Sequence, residues 1–463
     1  MSTIAQKLDA LSQDKTNINT AIQNLDDSLT YDQNNLAEYA PTIETFNTSI
    51  RAELGEVIGG EVGDICNEPL EPWVRPADWL DTPNPLETEQ KIVLLVHLDE
   101  TWDFCTFYVE GAYTVDWGDG VVENFNSGTT AIHTYDLTTI SDDTLTDDGM
   151  KQVIVTIAPQ DGNDITNVRT DSKNKGLKTK IIEAKCSVPK VDSGYMFYNQ
   201  FYIQNIEFFY NFNSNNVTCY MFAYCYSLQH IKGFNNNIES NCDGMFRATA
   251  SLKVIENTNI VSNSSSTMFN TSSNPDFINT NISITGNMYY CFEYSLLDLS
   301  KINITNTTNL YKAFHYHKGG FYGKNMVSFD VSACTYMYDT FWVSSFIKVD
   351  FIGACIGPHK YLFEANTEIQ EVINLDLSNS TDNLYMFTNS PNLTKATILN
   401  INKSIDIKYT ALPRDQLVGI LNNLVDLTDQ DAQTCTLTGC AGVADLTDDD
   451  KAIATNKNWN LVL

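Results

Sequence analysis

Apolar residues recur at a fixed interval along most of this chain. The pairs Met196-Phe197, Met221-Phe222, Met245-Phe246 and Met268-Phe269 repeat, then degrade to Cys291-Phe292, Ala313-Phe314, Thr340-Phe341, Leu362-Phe363 and Met386-Phe387. Successive phenylalanines lie 25, 24, 23, 23, 22, 27, 22 and 24 residues apart. A few residues after each pair comes a polar–Leu step such as Ser227-Leu228, Ser251-Leu252 or Asn392-Leu393. A short alternating apolar run follows, such as Leu228, Ile231 and Phe234. A period in the twenties predicts a solenoid. Each unit is too short to bury its own apolar face and must bury it against the next. The alternating runs predict one strand per turn. The Met-Phe pair is then an inward plug on the opposite wall, a core feature with no cofactor role.

Upstream the periodicity changes. Ile4, Leu8, Leu11, Ile18, Ile22, Leu25 and Leu29 form a heptad seam broken only by Lys15. A lone helix of that length is marginal in water, so the seam predicts self-association as a dimer or trimer. The alternative is a helix packed on its own domain. A second helical pattern runs through Leu36, Tyr39, Ile43, Phe46, Ile50 and Leu54. Residues 55–90 are dense in proline (Pro69, Pro72, Pro76, Pro83, Pro85), which excludes helix and most sheet and predicts an extended connector. Trp73 and Trp79 within it are expected to dock on a neighbouring surface, that of another subunit being one option.

Residues 91–160 read as a small β-sandwich, with strands at Ile92–Leu98, Phe104–Glu110, Ala112–Trp117, Ala131–Tyr135 and Lys151–Ile157. Gly118 and Gly120 supply the positive φ that the Asp116–Gly120 turn needs. The stretch Tyr113–Gly120 followed by His133-Thr134-Tyr135 resembles PKD-type immunoglobulin-like domains. The resemblance implies that the strand carrying Trp117 is core and that His133 and Tyr135 begin a later strand. Asp116 and Asp119 have two readings, as Ca²⁺ ligands or as caps of the turn.

The repeat grammar resembles the BspA-like leucine-rich repeats over roughly residues 180–463, and is degenerate between about Asn287 and Pro358. That resemblance implies an adhesion or surface-binding role. The solenoid is expected over 161–410. Residues 411–463 are expected to seal it, with a helix from Pro413 through Leu424, a strand at Thr434–Thr438, a short helix near Leu446–Lys451 and a final strand at Lys457–Leu461.

Composition narrows the function. Net charge is −30 with pI near 4.3, which argues against nucleic acid and anionic membrane surfaces. The eleven cysteines show no C-x-x-C pair and there are only six histidines, so zinc-site spacing is absent. Most cysteines read as small buried apolar groups, which favours assembly in a reducing cytoplasm. No signal peptide or membrane-length apolar run is visible.

No catalytic, cofactor or metal constellation is singled out: G-x-S-x-G, H-E-x-x-H, P-loop and G-x-G-x-x-G are all missing. His315-Tyr316-His317 is the one local cluster that draws notice. Two histidines two apart on a strand share a face and could ligate a metal; an exposed loop bulging from the 27-residue step is the other reading.

The chain is thus expected to be multidomain and mainly β with some α: an N-terminal coiled coil (1–54), a Pro-rich linker (55–90), an Ig/PKD-like sandwich (91–160), a BspA-type leucine-rich-repeat solenoid (161–410) and a C-terminal cap (411–463). The openings Ile4–Asp9 and Leu36–Ile43, and Arg75–Leu80 ahead of the "DWGDG" stretch, resemble segments of bacteriophage virion proteins. The resemblance implies a non-enzymatic head or tail fibre on the virion, assembled in the host cytoplasm. Its partners would be itself, capsid or tail proteins, and a host surface protein or carbohydrate. Two alternatives stay open, a BspA-type cell-surface adhesin and a tailspike-like glycan depolymerase with a pair of acids in one groove.

Overall fold

The computed structural model describes residues 73–171, 179–188, 194–212, 218–318 and 327–463. The N-terminal segment 1–54, with its heptad seam from Ile4 to Leu29, lies outside the described residues, as does the linker up to residue 72. The described chain is mainly β with two α-helices, and residues 183–462 wind into a β-solenoid of about 11 turns.

Lys91–Leu98 is the hinge of the architecture. It pairs antiparallel with Lys151–Pro159 on one side and with Ile181–Ser187 on the other. Its near-continuous apolar run is buried on both faces, as such runs require. Ile92, Leu94, Val96 and Leu98 join the main core, while Leu95 packs with Trp79 and Ile182 on the far face. Ile181–Ser187 then pairs parallel with Asn205–Phe208, and the same sheet runs on through His230–Lys232 and Val254–Glu256 to Asp276–Ile278. One nine-stranded sheet therefore joins the entry region to the coil.

A three-stranded sheet of Thr129–Thr134, Phe104–Glu110 and Asn167–Arg169 lies in the entry region. Phe107 from it packs against Trp117 at 5.4 Å between ring centroids. Five of the strands in this region fall where the alternation predicts them. Val122–Phe125, exposed and short, does not announce itself, so the Asp116–Gly120 turn leads into that strand. Gly118, at φ 83°, sits so close to Ile154 that a Cβ would lie 2.4 Å from its carbonyl oxygen.

The segment 73–90 is not a free connector. It straps across the outer face of the large sheet of its own chain. Trp79 is buried, and Trp73 stacks on His230 at 4.6 Å. Arg75 places Nε and Nη2 each 2.9 Å from the Glu183 carboxylate, and Thr82 Oγ donates to the same group at 2.5 Å. Asn205 adds a fourth bond at 2.9 Å. Burial opposes ionisation of Glu183, but these donors outweigh it and hold its pKa below the usual range.

Each early turn carries two strands rather than the one expected. Val254–Glu256 is followed by Asn259–Ser264, and Asp276–Ile278 by Asn281–Asn287. The second strands are rich in Asn, Ser and Thr, so apolar alternation hides them, although Ile260, Ile282 and Ile284 point into the core. Asn257 and Asn279 turn the corner between the two strands with positive φ, and their side chains bond to each other at 3.2 Å.

The coil does not stop at Met386-Phe387. Ile405–Asp406, Gln433–Thr436 and Trp459–Val462 continue the parallel stack. Two helices stand in the last turns, α1 (Arg414–Asn422) and α2 (Asp448–Thr455). Pro413 holds the N-cap position of α1 without a capping hydrogen bond, and Thr447 with Asp450 forms a capping box for α2. Arg414 grips Asp450 through two bonds of 2.9 Å. The segment expected only as a seal thus includes true turns of the coil.

Candidate binding wall of the solenoid

The plug turns are built the same way nine times. Each phenylalanine from Phe197 to Phe387 is buried, and neighbouring rings stack face to face. All eight steps have centroid distances of 4.9–6.4 Å and interplanar angles of 1–21°. The residues two before and two after each phenylalanine have positive φ. That conformation is sparse for side chains other than glycine, yet tyrosine fills many of these positions, as at Tyr220 and Tyr224. Backbone bonds between successive turns hold it: Phe222 N donates to Met245 O at 3.0 Å, Tyr220 N to Asp243 O at 2.8 Å and Tyr224 N to Arg247 O at 2.8 Å.

Because Met and Phe point inward, the flanking positions form the outer wall. Tyr289, Tyr311, Tyr338, Tyr361 and Tyr385 make a continuous ladder, with centroids 5.1, 5.5, 5.4 and 5.2 Å apart. Lys312, Lys360 and Lys408 lie over these rings, Lys360 Nζ being 4.9 Å from the Tyr361 centroid. The rings cover one another's faces along the coil axis at three of the four steps, the Tyr338–Tyr361 step being T-shaped. The wall therefore offers ring edges and hydroxyls, which suit hydrogen bonding more than face stacking of a ligand.

The row directly after the phenylalanines is polar in its middle. Asn270 Nδ2 donates to Glu293 Oε2 at 2.8 Å, and Glu293 Oε1 lies 3.0 Å from His315 Nδ1. The His315 ring stacks on Trp342 at 4.6 Å. Glu364 follows, and its carboxyl is raised above the usual range by burial and by the charge of Asp339, against the lowering effect of a Trp342 hydrogen bond. Burial also raises Asp339, outweighing Lys312, whose Nζ is 3.7 Å away.

Compared with family models, with curated proteins and with solved structures, the chain matches none.

The sequence-marked residues fall in several places. His315 and His317 are not on an exposed loop; they belong to a regular plug turn and are buried. They do not share a face either. His315 meets Glu293 and Trp342, whereas His317 packs among Phe292, Phe314 and Phe346. Neither His317 nitrogen has a hydrogen-bond partner, and burial pushes its pKa down to about 3. The extra residues of the 27-residue step instead fall after residue 318, outside the described residues.

Asp116 and Asp119 cap their own turn. Asp116 accepts from Gly118 N, and Asp119 from Val121 N, each at 3.0 Å. Asp119 also meets His133 Nε2 at 2.7 Å. Trp117 is fully buried and stacks on His133, and the Tyr135 hydroxyl donates to Trp117 O at 3.0 Å. His133 ends a strand rather than beginning one. Among the described residues no group of three His, Cys, Asp or Glu is placed to hold a metal ion. Asp339, Trp342 and Glu364 carried no sequence signal beyond their distances from Phe341 and Phe363.

Proposed function

We propose that this chain is a non-enzymatic structural protein of a bacteriophage virion, a head or tail fibre. Residues 1–54 anchor and oligomerise it, a PKD-like entry region forms the stalk, and a BspA-like leucine-rich-repeat solenoid is displayed to bind host surface or glycans. The observation that carries this reading is the contrast between the coil's two outer faces. One is covered at its first turns, as far as His230, by the chain's own segment Trp73–Gln90. The other, the plug wall, presents a regular array of tyrosines and lysines, with Tyr289, Tyr294 and Tyr385 exposed. A long, stiff, hydrogen-bonding surface fits a displayed recognition element.

Light scattering on the full chain, and on a version lacking residues 1–54, tests the fibre reading. The described residues belong to one compact unit that excludes 1–69, so the shortened chain is expected to keep its fold, which its circular dichroism checks. A trimer or dimer that becomes a monomer supports it. Monomers in both cases turn the balance to a single-copy adhesin, and recovery of the native chain free of virions counts against a virion role.

A further inference from the structure

Two consecutive turns of the coil carry a cysteine at the same place on a corner. Strands Val327–Asp330 and Lys348–Ile352 pair in parallel, with Asp330 opposite Ile352. The corners that follow them stay flush. A Cβ on Gly353 would lie 3.1 Å from Ser332 Cα, and Ile356 N donates to Cys334 O at 2.9 Å. Neighbouring chains of a parallel stack run about 4.8 Å apart, inside the Cα separation of about 4.4–6.8 Å that a disulfide spans. The Cys334 and Cys355 thiols are hydrogen-bonded to each other, and both side chains are buried. Their cover is thin. Ala333 and Thr335 on either side of Cys334 are exposed, and so is Ile356 beside Cys355.

Burial pushes the thiols of Cys105 and Cys225 up to about 12, out of the reactive range. Cys334 is shifted the other way, because the hydrogen bond from Cys355 outweighs burial and holds its thiol below the usual range. We propose that Cys334 and Cys355 form a reactive dithiol that a small peroxide oxidises to a disulfide, stapling two consecutive turns of the coil. The Cys334 thiolate attacks one peroxide oxygen, the O–O bond breaks and hydroxide leaves, so that the sulfur becomes a sulfenic acid. The Cys355 sulfur then attacks the Cys334 sulfur. The S–S bond forms, the S–O bond breaks, and the oxygen leaves as water with the Cys355 proton. Two thiols and one peroxide thus become one disulfide and two waters, and the peroxide takes the two electrons. The closed loop holds residues 335–354 and includes the plug turn of Phe341, so oxidation ties down that stretch of the wall. It does not depend on a virion role.

The test treats the full folded chain with hydrogen peroxide, blocks the remaining thiols with iodoacetamide in denaturant, and digests with trypsin without reductant. Cleavage after Lys324, Lys348 and Lys360 puts Cys334 and Cys355 in separate peptides, 325–348 and 349–360, each with a single cysteine. The expected product is these two peptides joined, about 2 Da lighter than their sum, with two of the eleven thiols lost to titration. Dithiothreitol should restore both thiols. The oxidised chain should melt about 4 °C above the reduced one. Cys334→Ser should abolish the joined peptide, whereas Cys225→Ser, on another turn, should leave it. If Cys334→Ser does not fold, the joined peptide in the unsubstituted chain still decides. Sulfinic or sulfonic acid at either cysteine without a joined peptide overturns the proposal. So do thiols left intact after the methionines have turned to sulfoxide, and a joined peptide that forms only once the chain is unfolded in urea.

Discussion

The inward and outward rows of the plug turns share one backbone but not one sequence logic. The inward row is phenylalanine nine times over, sealed from solvent and stacked ring on ring. The row one residue further on reads Tyr198, Ala223, Arg247, Asn270, Glu293, His315, Trp342, Glu364 and Thr388. Hydrogen bonds between turns and the phenylalanine stack fix the shape of the wall. That following position, buried at Ala223, Asn270, His315 and Thr388 and partly buried at the other five, varies in chemistry from turn to turn. Periodic positions in this chain build, and positions that depart from the period between fixed neighbours are where recognition can sit.

The comparison breaks most openly at the centre of the stack. Phe292 contacts Phe269 and Phe314 at 5.7 and 5.4 Å. Phe292→Ala removes both contacts and leaves a cavity that the stacked turns cannot close, at a cost of about 4 kcal/mol. Urea unfolding monitored by far-UV circular dichroism should show that drop. A loss below about 1 kcal/mol would mean that the turn is held by its backbone bonds alone.

A polar group buried as deeply as those phenylalanines sharpens the contrast. Glu183 is fully buried under the strap and depends on Arg75, Thr82 and Asn205. Arg75→Ala leaves that carboxylate without its counter-charge, and a loss of about 3 kcal/mol is expected. Restoring pairing on a neutral basis with the double variant Arg75→Ala/Glu183→Gln should recover part of it. If the double variant is no better than the single, the strap is held by Trp79 packing and not by the ion pair.

The coil was legible because its signal is periodic and apolar. The Met-Phe spacing located all nine plug turns, and the unbroken run Ile92–Val96 marked a strand covered on both faces. The second strands were not legible, since Asn259–Ser264 and Asn303–Asn309 spend polar residues on side-chain ladders that alternation cannot see. Trp73 and Trp79 were read as docking residues, but their receptor was missed. The Glu183 and His230 that receive the strap lie more than a hundred residues away in sequence. The polar neighbours of Trp342 were illegible for the same reason. Asp339 and Glu364 are ordinary polar residues until the register of successive turns sets them beside Trp342.

His315 and His317, both buried, differ in pairing: His315 meets Glu293, whereas His317 packs among phenylalanines. His317 and His359 are buried with pKa values pushed down to about 3 and about 4. A histidine depressed in the folded state leaves stability intact above its unfolded pKa near 6.5 and withdraws it as pH falls below that value. Each should remove about 2 kcal/mol between pH 7 and pH 5. Glu183, depressed as a carboxylate, acts in a lower window, below about pH 4.5. Urea midpoints at several pH values should fall across pH 6.5 to 5, and His317→Leu should flatten that limb by about 2 kcal/mol. An unchanged limb would mean that His317 finds a proton acceptor on protonation.

The smallest expected stability effect carries the most functional weight. Tyr311 sits in the outer ladder with Tyr289 at 5.1 Å and Tyr338 at 5.5 Å, partly buried. Tyr311→Ala should cost about 1.5 kcal/mol, the worth of its two ladder contacts, because the inward row beneath it is untouched. Its effect on attachment to cells or glycans should be larger than its effect on unfolding, since the ladder supplies the hydroxyls and edges of the wall. If Tyr311→Ala unfolds the chain as readily as Phe292→Ala, the outward row is structural too, and the division of labour between the two rows fails. If it alters neither stability nor attachment, the ladder is bystander surface, and recognition lies in the polar patch beyond it.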